Sequence, residues 1–355
     1  MDLEALDFPL PEELIARHPP AQRQEARLLV VSGPELAHRR FRDLPELLTP
    51  GDLLVLNDTR VLPARLDLLK ETGGRVEGLF LEAQDASVAT CLLSAGRLRP
   101  GVVLVAGAAR IVLEAKGERG TWTVRQEGAP DWPSLLALVG HTPLPPYIRR
   151  LREEAAEAVD SAEDRERYQT VWASAEGSVA APTASLHFDR HLLDSLVMHG
   201  VSTVPLTLHV GQGTFLPVET ERVEDHPMHA ERFEVPAATA AAVEEARREG
   251  RRVIAAGTTV CRALEAWARG DEGETGLMIL PGHEFRAVDG LLTNFHTPRS
   301  TLLALVAAMA AAQGAGDGLA WVKQVYAEAV AARYRFFSYG DASLWLPQAG
   351  STQGS

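Results

Sequence analysis

Three short segments of this chain place a histidine among glycine, proline and small hydroxyl residues. They are residues 177–188, 209–215 and 292–301. Each follows an apolar run that is typical of a strand, and in open α/β sheets ligands bind where strands lead into loops or helices. The three segments therefore predict one composite pocket assembled from distant parts of the chain.

The histidines are candidates for proton transfer, because imidazole titrates near neutral pH. His187, His209 and His296 lie in the three segments, and His229 lies in Asp225-His-Pro-Met-His-Ala-Glu231. A metal site is an alternative for that last cluster, since imidazole binds many divalent ions. However, a proline separates its two histidines, and no Cys or further His is close. The cluster therefore favours a histidine that positions a substrate or moves a proton, with a hydrogen-bonded loop histidine as the other alternative.

The loop that begins at His209 contains Gly211 and Gly213, which allow a ligand to approach the backbone closely. The third glycine of a dinucleotide-binding fingerprint is missing, and so is the Gly-Lys-Ser/Thr of a P-loop. The motif is therefore compatible with ligand binding or with a structural turn.

Three further motifs have a functional and a structural interpretation. Gly257-Thr-Thr259 lies between a strand and a helix, where N–H groups and hydroxyls suit a carboxylate or simply cap the helix. Thr293-Asn-Phe-His296 would line a polar pocket before a helix that Ser300 caps. Phe336-Phe-Ser-Tyr-Gly-Asp341 offers polar groups to a substrate or forms a β-turn after a helix.

The composition, 46% hydrophobic and 23% charged, is that of a globular protein with a sizeable core. A formal net charge of −13 opposes nonspecific binding to nucleic acid, but a nucleic-acid substrate held by an arginine patch stays open. The candidate patches, which solvated surface arginines would equally explain, are Arg60 with Arg65, Arg97 with Arg99, and Arg149 with Arg150 and Arg152.

The two cysteines, Cys91 and Cys261, lie far apart and form no redox or metal motif. The N-terminus is acidic and lacks the basic head and apolar centre of a signal peptide. The longest apolar run, 302–312, is shorter than the roughly 20 residues of a membrane-spanning helix. These features predict a cytoplasmic protein with no membrane association.

The hydrophobic pattern predicts an α/β protein in which a mixed, mostly parallel sheet domain contains an inserted small antiparallel β-barrel domain. Strand and helix patterns alternate over 1–65 and 142–346, whereas short strands separated by glycine fill 66–141. Residues 141–149 are proline-rich and predicted to be extended, 150–167 to be charged and mobile, and 347–355 to be a flexible tail. A strand is also predicted over 276–280.

At these motifs the chain resembles the S-adenosylmethionine:tRNA ribosyltransferase-isomerase family of queuosine biosynthesis. The matching motifs follow one another along nearly the whole chain, which makes the resemblance specific. They are Asp7-Phe-Pro-Leu-Pro-Glu-Glu-Leu-Ile15, residues 50–65, Thr142-Pro-Leu-Pro-Pro-Tyr-Ile148, Tyr168-Gln-Thr-Val171, Val179-Ala-Ala-Pro-Thr183, Leu186-His-Phe188, residues 209–215, Thr293-Asn-Phe-His296, Ser300-Thr-Leu-Leu303 and residues 334–341.

The resemblance implies an α/β domain interrupted by a β-barrel, and a transferase that modifies tRNA. The family moves ribose from S-adenosylmethionine onto 7-aminomethyl-7-deazaguanine in the anticodon loop, giving epoxyqueuosine-tRNA, adenine and methionine. S-adenosylmethionine is then a consumed substrate, and no cofactor or metal is expected. The expected partners are S-adenosylmethionine and tRNA carrying the deazaguanine base, and the expected assembly is a monomer or weak homodimer.

That reaction suggests roles for the candidate residues. It needs an acid or base, which would be His187, His209, His229 or His296, with Asp225 or Asp341 orienting a histidine or binding ribose hydroxyls. Arginines would meet the tRNA or its flipped base. The substrate-binding candidates are Asn57, Arg60, Arg65, Arg149, Thr183, Gly211, Gly213, Thr214, Thr258, Thr259, Asn294, Tyr339 and Asp341.

The chain also departs from the family pattern. Gln24 and Glu25 precede Arg27 where the family usually has Arg-Ser-x-x-Arg, Trp172 replaces a usual tyrosine, and Ser185 replaces a usual glycine. Two rival functions therefore stay open: a tRNA-binding homologue whose catalysis is impaired, and a metal-dependent hydrolase built on the two histidines of residues 225–231.

Overall fold

The computed structural model describes residues 1–94, 96–211, 213 and 218–348. Tertiary contacts divide the chain into two compact units. Unit 1 comprises residues 1–59, 170–175 and 182 onward, and unit 2 comprises residues 60–169 and 176–181. The polypeptide therefore leaves unit 1 after its first strands and returns to it later, as in a domain insertion.

Strands and helices alternate over most of the described chain. The strands are β1 (Arg27–Ser32), β2 (Glu35–Arg40), β3 (Leu53–Asn57), β4 (Thr59–Val61), β5 (Arg65–Lys70), β6 (Arg75–Ala83), β7 (Val88–Ser94), β8 (Val103–Ala106), β9 (Ala109–Lys116), β10 (Thr121–Glu127), β11 (Gly140–His141), β12 (Ala175–Ser178), β13 (Ser202–Leu208), β14 (Glu231–Glu234), β15 (Val253–Ala256), β16 (Glu274–Thr275), β17 (Gly290–Asn294) and β18 (Ala342–Leu346). The α-helices are α1 (Leu44–Leu47), α2 (Trp132–Val139), α3 (Pro146–Glu154), α4 (Ala162–Arg167), α5 (Arg190–Met198), α6 (Ala237–Arg248), α7 (Thr258–Trp267), α8 (Thr301–Ala310) and α9 (Gly318–Ala331).

Unit 1 is built on a mixed sheet with the strand order β16-β14-β13-β3-β15-β17-β18-β1-β2. The central strands β13, β3, β15 and β17 are mutually parallel. The neighbours β14 and β18 pair antiparallel with the ends of this group. The predicted mixed α/β sheet is therefore confirmed, although only four of the eight pairings between its described strands are parallel.

The central strands read as continuous apolar runs because both faces of the sheet are covered. Every residue of β3, β15 and β17 is buried. Leu54, Ile254 and Leu292 join one core cluster with Leu192 and Leu196 of helix α5. This packing fixes the strand register, so the polar residues that follow these strands lie at one edge of the sheet.

Unit 2 contains the predicted antiparallel barrel, in which six strands follow the order β5-β6-β7-β10-β9-β8 and the β5–β8 pairing closes the ring. Inward-facing residues such as Leu66, Val76 and Val124 alternate with outward ones along each strand and fill the interior. Helix α2 covers the barrel, with Asp131 capping its first turn and the buried Trp132 packing into the same core.

Residues 141–167 differ from their prediction as a proline-rich extended stretch followed by a mobile one. Helix α3 begins at Pro146 and helix α4 at Ala162, since proline is tolerated in a first turn and Ser161 forms a capping box with Asp164. Arg152 of α3 and Asp164 of α4 make a buried two-bonded ion pair, at 2.6 and 2.8 Å. That pair orders a segment whose charged composition suggested mobility.

Two other expectations are corrected. Residues 276–280 form no strand, because only β16 pairs at this edge. Unit 2 extends beyond the predicted insert 66–141 on both sides. The extension is explained by contacts within the unit: for example, the Arg165 guanidinium donates to the Gly140 carbonyl at 3.0 Å, which ties α4 to the barrel.

Within the described part of the chain, no single helix is long and apolar enough to cross a membrane. The pair 301–315 and 318–331 reaches the required length and composition only together, and it is bent by 106°.

Candidate active site

The carboxyl ends of four parallel strands bring the predicted site residues of unit 1 to one edge of the sheet. His209 follows β13, Asn57 ends β3, Gly257 follows β15 and Asn294 ends β17. Because these strands are parallel neighbours, residues that follow them converge at the position where α/β sheets bind ligands.

Asn57 locks the ends of two of these strands together. Its buried amide donates to the Leu208 carbonyl at 2.9 Å, and its side-chain oxygen accepts from the Leu208 and Thr59 amides at 3.2 and 3.0 Å. The side chain therefore uses its hydrogen-bonding capacity on the backbone. It positions the start of the His209 loop, and its predicted contact with substrate stays a prediction.

His209 is half-buried and held through one ring nitrogen, Nδ1, which lies 2.9 Å from the Thr59 hydroxyl. Burial lowers the pKa of His209 below its usual range, the Arg232 guanidinium adds to this, and Asp58 opposes it. The imidazole is consequently neutral at physiological pH, and a neutral imidazole can accept a proton.

A buried ion pair supports the loop that follows His209. Glu231 accepts the Gly211 amide at 3.0 Å on one oxygen and forms an ion pair with Arg262 of α7 on the other. Arg262 also donates from Nε to the Leu277 carbonyl at 3.0 Å, while its Nη2 has no partner in the described residues. Both charged side chains are 5% exposed, so the pair is a rigid support for the loop.

Gly213 lies directly against His229. A Cβ atom at this position would come within 2.6 Å of the His229 ring, so only glycine lets the loop pack here. This contact places His229 beside the loop that begins at His209. Asp225, by contrast, is exposed at the end of a short 3-10 turn, and Thr214 lies outside the described residues.

A second, deeper group surrounds Asn294. The Thr183 hydroxyl donates to its side-chain oxygen at 2.8 Å, and its amide lies 3.5 Å from Nε2 of His187 and 3.5 Å from the Asp341 carbonyl. His187 is 1% exposed and packs on Phe41 with ring centroids 5.1 Å apart. The group joins four predicted site residues in one network, and of these only Thr183 is partly exposed.

Asp341 and Tyr339 belong to a buried turn. The Asp341 carboxylate accepts the amides of Arg27 and Arg335, each at 2.8 Å. Burial raises the pKa of Asp341, although those two hydrogen bonds and their side-chain charges oppose the change. Gly340 donates to the Phe337 carbonyl at 2.9 Å, so the β-turn interpretation of residues 336–341 is confirmed.

His296 is the third histidine at this edge. Its Nε2 lies 2.9 Å from the Thr293 hydroxyl, and its amide donates to the Tyr326 hydroxyl oxygen at 3.1 Å. Burial lowers the pKa of His296 to about 3. The ring therefore stays neutral at physiological pH, and its low basicity makes it a hydrogen-bonding group there.

Helix α7 begins at the same edge. Gly257 precedes it with φ 113°, a conformation that favours glycine, and no side chain caps the first turn. The N–H groups of the first turn, with the hydroxyls of Thr258 and Thr259, form a polar helix start that suits a carboxylate. Ser300 was also predicted to cap a helix. Its hydroxyl accepts a hydrogen bond from the Leu303 amide at 3.3 Å, so Ser300 caps α8.

Comparison with known proteins shows the family to which this chain belongs. The model of the family described as "Queuosine biosynthesis protein" matches residues 3–345. The chain belongs to this family. A relative from Acidithiobacillus ferrooxidans, named S-adenosylmethionine:tRNA ribosyltransferase-isomerase, is 51% identical, with 97% of each chain covered. A relative of the same name from Geobacter sulfurreducens is 48% identical, with 95% of this chain and 97% of the relative covered.

A solved structure is also similar. The crystal structure of S-adenosylmethionine tRNA ribosyltransferase from Thermotoga maritima is 34% identical, with a TM-score of 0.53 and coverage of 96% of this chain and 100% of that chain. The family relationship predicted from the motifs is thereby confirmed.

Two departures from the family pattern fit the fold. The Trp172 indole N–H donates to the Asn57 carbonyl at 2.9 Å and its ring packs edge-on against Phe188. The Ser185 hydroxyl, fully buried, lies 3.4 Å from the Ala256 carbonyl. The Trp172 indole N–H and the Ser185 hydroxyl each have a backbone carbonyl as acceptor, so neither replacement leaves an unsatisfied donor at the sheet edge.

The three arginines predicted to meet tRNA lie in unit 2. Arg65 pairs with Asp67 at 2.6 Å and lies 3.8 Å from Asp160, and Arg149 pairs with Glu77. Arg60 is exposed. Arg65 and Arg149 are thus bound to carboxylates in this structure, and a role for the three in tRNA binding stays a prediction.

The sequence did not single out Thr59, Asp58 or Arg262 as site residues. Arg262 had one available signal, since it is a charge in an otherwise apolar stretch of a helix, which is typical of a buried ion pair. Across the described ranges, no three His, Cys, Asp or Glu side chains lie close enough together to hold a metal ion.

Proposed function

We propose that this chain transfers and isomerises the ribosyl group of S-adenosylmethionine onto 7-aminomethyl-7-deazaguanine in the anticodon loop of tRNA. The products are epoxyqueuosine-tRNA, adenine and methionine, and the chain is a transferase of queuosine biosynthesis. The observation that carries the proposal is the family match over residues 3–345, which includes every motif at the sheet edge. The relatives of that name are 48–51% identical over nearly their full length.

The reaction needs a base, because a proton must leave the carbon next to the sulfonium of S-adenosylmethionine. The sulfonium already acidifies that carbon, so a neutral imidazole is basic enough. We assign this role to His209. It is partly exposed and neutral, and its Nδ1 is held by Thr59, so its Nε2 would accept the proton.

The other histidines have different surroundings. His187 is almost fully buried, and His296 has too low a pKa to compete as a base. His229 lies beside Gly213 in the same loop region as His209. His229 is therefore our candidate for the proton donor that helps adenine to leave.

The methionine part of the donor carries a carboxylate, which the start of helix α7 suits. Uncapped N–H groups and the Thr258 and Thr259 hydroxyls would donate to it. Gly211 and Gly213 let the loop backbone approach the same ligand, and Thr183, Asn294, Tyr339 and Asp341 would complete the polar surroundings of the donor.

S-adenosylmethionine is consumed in this scheme, so the protein would need no other cofactor and no metal. We expect tRNA to contact Arg60, Arg65 and Arg149, with the last two exchanging their carboxylate partners for phosphate. We further expect a cytoplasmic monomer or weak homodimer that does not bind membranes.

The test is adenine release. The purified protein is incubated in the presence of a chelator with S-adenosylmethionine and tRNA that carries the deazaguanine base, and adenine is measured by chromatography. Adenine that appears only with both substrates supports ribosyl transfer. Folded protein that binds the tRNA and releases no adenine would refute it, and activity that the chelator abolishes would indicate a metal-dependent reaction instead.

A further inference from the structure

Three turns of unit 2 lie at one end of the barrel. Glu77 pairs with Ser94 and Thr121 pairs with Leu92, so the turns 71–74, 96–102 and 117–120 share this end. Direct contacts join them: Lys70 Nζ donates to the Gly96 carbonyl at 2.8 Å, and the Leu93 amide donates to the Gly120 carbonyl at 3.1 Å. The end lies opposite the one at which β5 begins and β11 pairs with it.

This end is rich in cations, and we call it the basic barrel end. Its six members belong to the three turns or to the strand residues beside them, and all but the half-buried Lys70 are exposed. They are Lys70, Arg75, Arg97, Arg99, Lys116 and Arg119. Only two carboxylates, Glu71 and Glu118, share this end in the described residues, and Glu71 lies 3.8 Å from Arg110.

The five exposed cations form no ion pair with any residue that the structure describes. Other arginines of unit 2 do: Arg125 pairs with Glu114, and Arg149 with Glu77. Towards the opposite end of the barrel, the carboxylates Glu82, Asp85, Glu127 and Asp131 have arginines beside them, and Arg110 lies 3.7 Å from Glu127. The two ends of the barrel therefore differ in that the exposed cations of the basic barrel end lack carboxylate partners in the described residues.

The distribution of charge between the units strengthens this contrast. Unit 1 has 20 Lys and Arg against 31 Asp and Glu, and unit 2 has 15 against 17. Of the net charge of −13, unit 1 thus contributes −11 and unit 2 only −2. A polyanion that approaches this protein is repelled by most of unit 1 and attracted to the basic barrel end.

In two of the turns an arginine has a backbone conformation that glycine adopts more readily. Arg97 has φ 60° and Arg119 has φ 49°, both in the left-handed region. Neighbouring glycines take the same region at Gly101 and Gly120, so the turns could have used glycine instead. Arginine at such positions suggests a use for the guanidinium, which binds phosphate with paired N–H donors.

We propose that the basic barrel end binds the phosphate backbone of the tRNA substrate. The inference rests on the proposed function for the identity of the polyanion. The contacts are to phosphates and carry no base specificity, so they contribute to the affinity for tRNA and not to the choice of base.

The test compares two triple charge reversals. The first is Arg97→Glu, Arg99→Glu and Arg119→Glu. The control reverses three exposed arginines of unit 1, Arg39→Glu, Arg190→Glu and Arg248→Glu, and changes the net charge by the same amount. Circular dichroism and thermal melting verify folding, and the single variant Arg99→Glu, at a position with ordinary backbone geometry, serves if the triple variant does not fold.

Binding of tRNA is measured by fluorescence anisotropy over a range of KCl concentrations. Each lost phosphate contact lowers the slope of log Kobs against log salt by about 0.7–0.9, so the barrel variant should lose roughly 2–3 from that slope. Its Kd at about 0.1 M salt should rise at least tenfold over the control. In adenine release, KM for tRNA should rise, while KM for S-adenosylmethionine and kcat at saturating tRNA stay unchanged.

The outcomes separate this proposal from the proposed function. If the wild type releases adenine and the barrel variant binds tRNA as the control does, the basic barrel end is not a tRNA contact. If the wild type binds tRNA through this end but releases no adenine, the proposed function is refuted and the basic barrel end is still a tRNA-binding surface. If all variants bind tRNA equally and the barrel variant alone loses binding to phosphatidylglycerol vesicles, the end is a membrane surface and the proposal is overturned.

Discussion

The buried pair of Glu231 and Arg262 should determine both the stability of unit 1 and the position of the His209 loop. Each side chain is 5% exposed, and Glu231 also accepts the Gly211 amide at 3.0 Å. Removing one partner of a buried pair typically costs about 3–5 kcal/mol, because the other charge is left uncompensated. We therefore expect Glu231→Gln, which keeps the shape and an acceptor for Gly211, to lower the free energy of unfolding by roughly 3 kcal/mol.

A double-mutant cycle tests this reasoning. Arg262→Met removes the other charge and keeps a long, unbranched side chain. The double variant Glu231→Gln with Arg262→Met leaves no unpaired charge in the buried site. We expect the double variant to be more stable than Glu231→Gln alone, with a coupling free energy of about 2 kcal/mol or more. Urea unfolding followed by circular dichroism gives the midpoints from which these values are obtained.

Adenine release provides the functional readout of the same cycle. If Glu231 acts by holding the loop, kcat should fall in both single variants while the affinity for tRNA is kept, since the pair lies in unit 1. A Glu231→Gln protein with unfolding free energy within about 0.5 kcal/mol of the wild type would refute the energetic argument. Unchanged kcat in a clearly destabilised variant would refute the positioning role alone.

Three further predictions follow from the site and its surroundings. Because burial lowers the pKa of His209, the acid limb of kcat/KM should lie below pH 6.5, and it should be absent from the residual activity of His209→Gln; a limb that survives the substitution points to another base. Burial raises the pKa of Glu265, but hydrogen bonds from His283 and from backbone amides lower it overall to about 2, so Glu265→Gln should cost roughly 3 kcal/mol above pH 5. That difference should disappear as the pH falls through about 2 in urea titrations, and a constant difference would contradict it. Gly213→Ala places a Cβ 2.6 Å from the His229 ring, so kcat should fall at least tenfold with the melting temperature nearly unchanged, whereas Gly96→Ala, which meets nothing within 4 Å, should keep full kcat.

The basic barrel end could be predicted from the sequence only in part. The sequence indicated Arg97 with Arg99 as one of several patches that could equally be solvated. Lys70, Arg75, Lys116 and Arg119 join them only because antiparallel pairing brings three turns to one barrel end. Spacing along the chain carries no information about that convergence.

Family membership and the order of the elements could be predicted from the amino-acid sequence alone. Long, specific motifs and apolar periodicity are local properties, so the alternation of strands and helices along the α/β region could be predicted. The α/β domain with an inserted barrel follows from the same local signals. The errors fell on 276–280, where the predicted strand does not form, and on 141–167, where proline and charge suggest an extended, mobile chain in the absence of partners.

The tertiary structure decided what each polar residue does. Asn57 and Asp341 are both candidate substrate ligands in sequence, yet each accepts a hydrogen bond from a backbone amide that only the fold brings near. The Arg152–Asp164 pair orders two helices because burial removes both charges from water, and a buried charge requires a partner. Local patterns specify which elements form, and long-range burial specifies which groups remain available for chemistry.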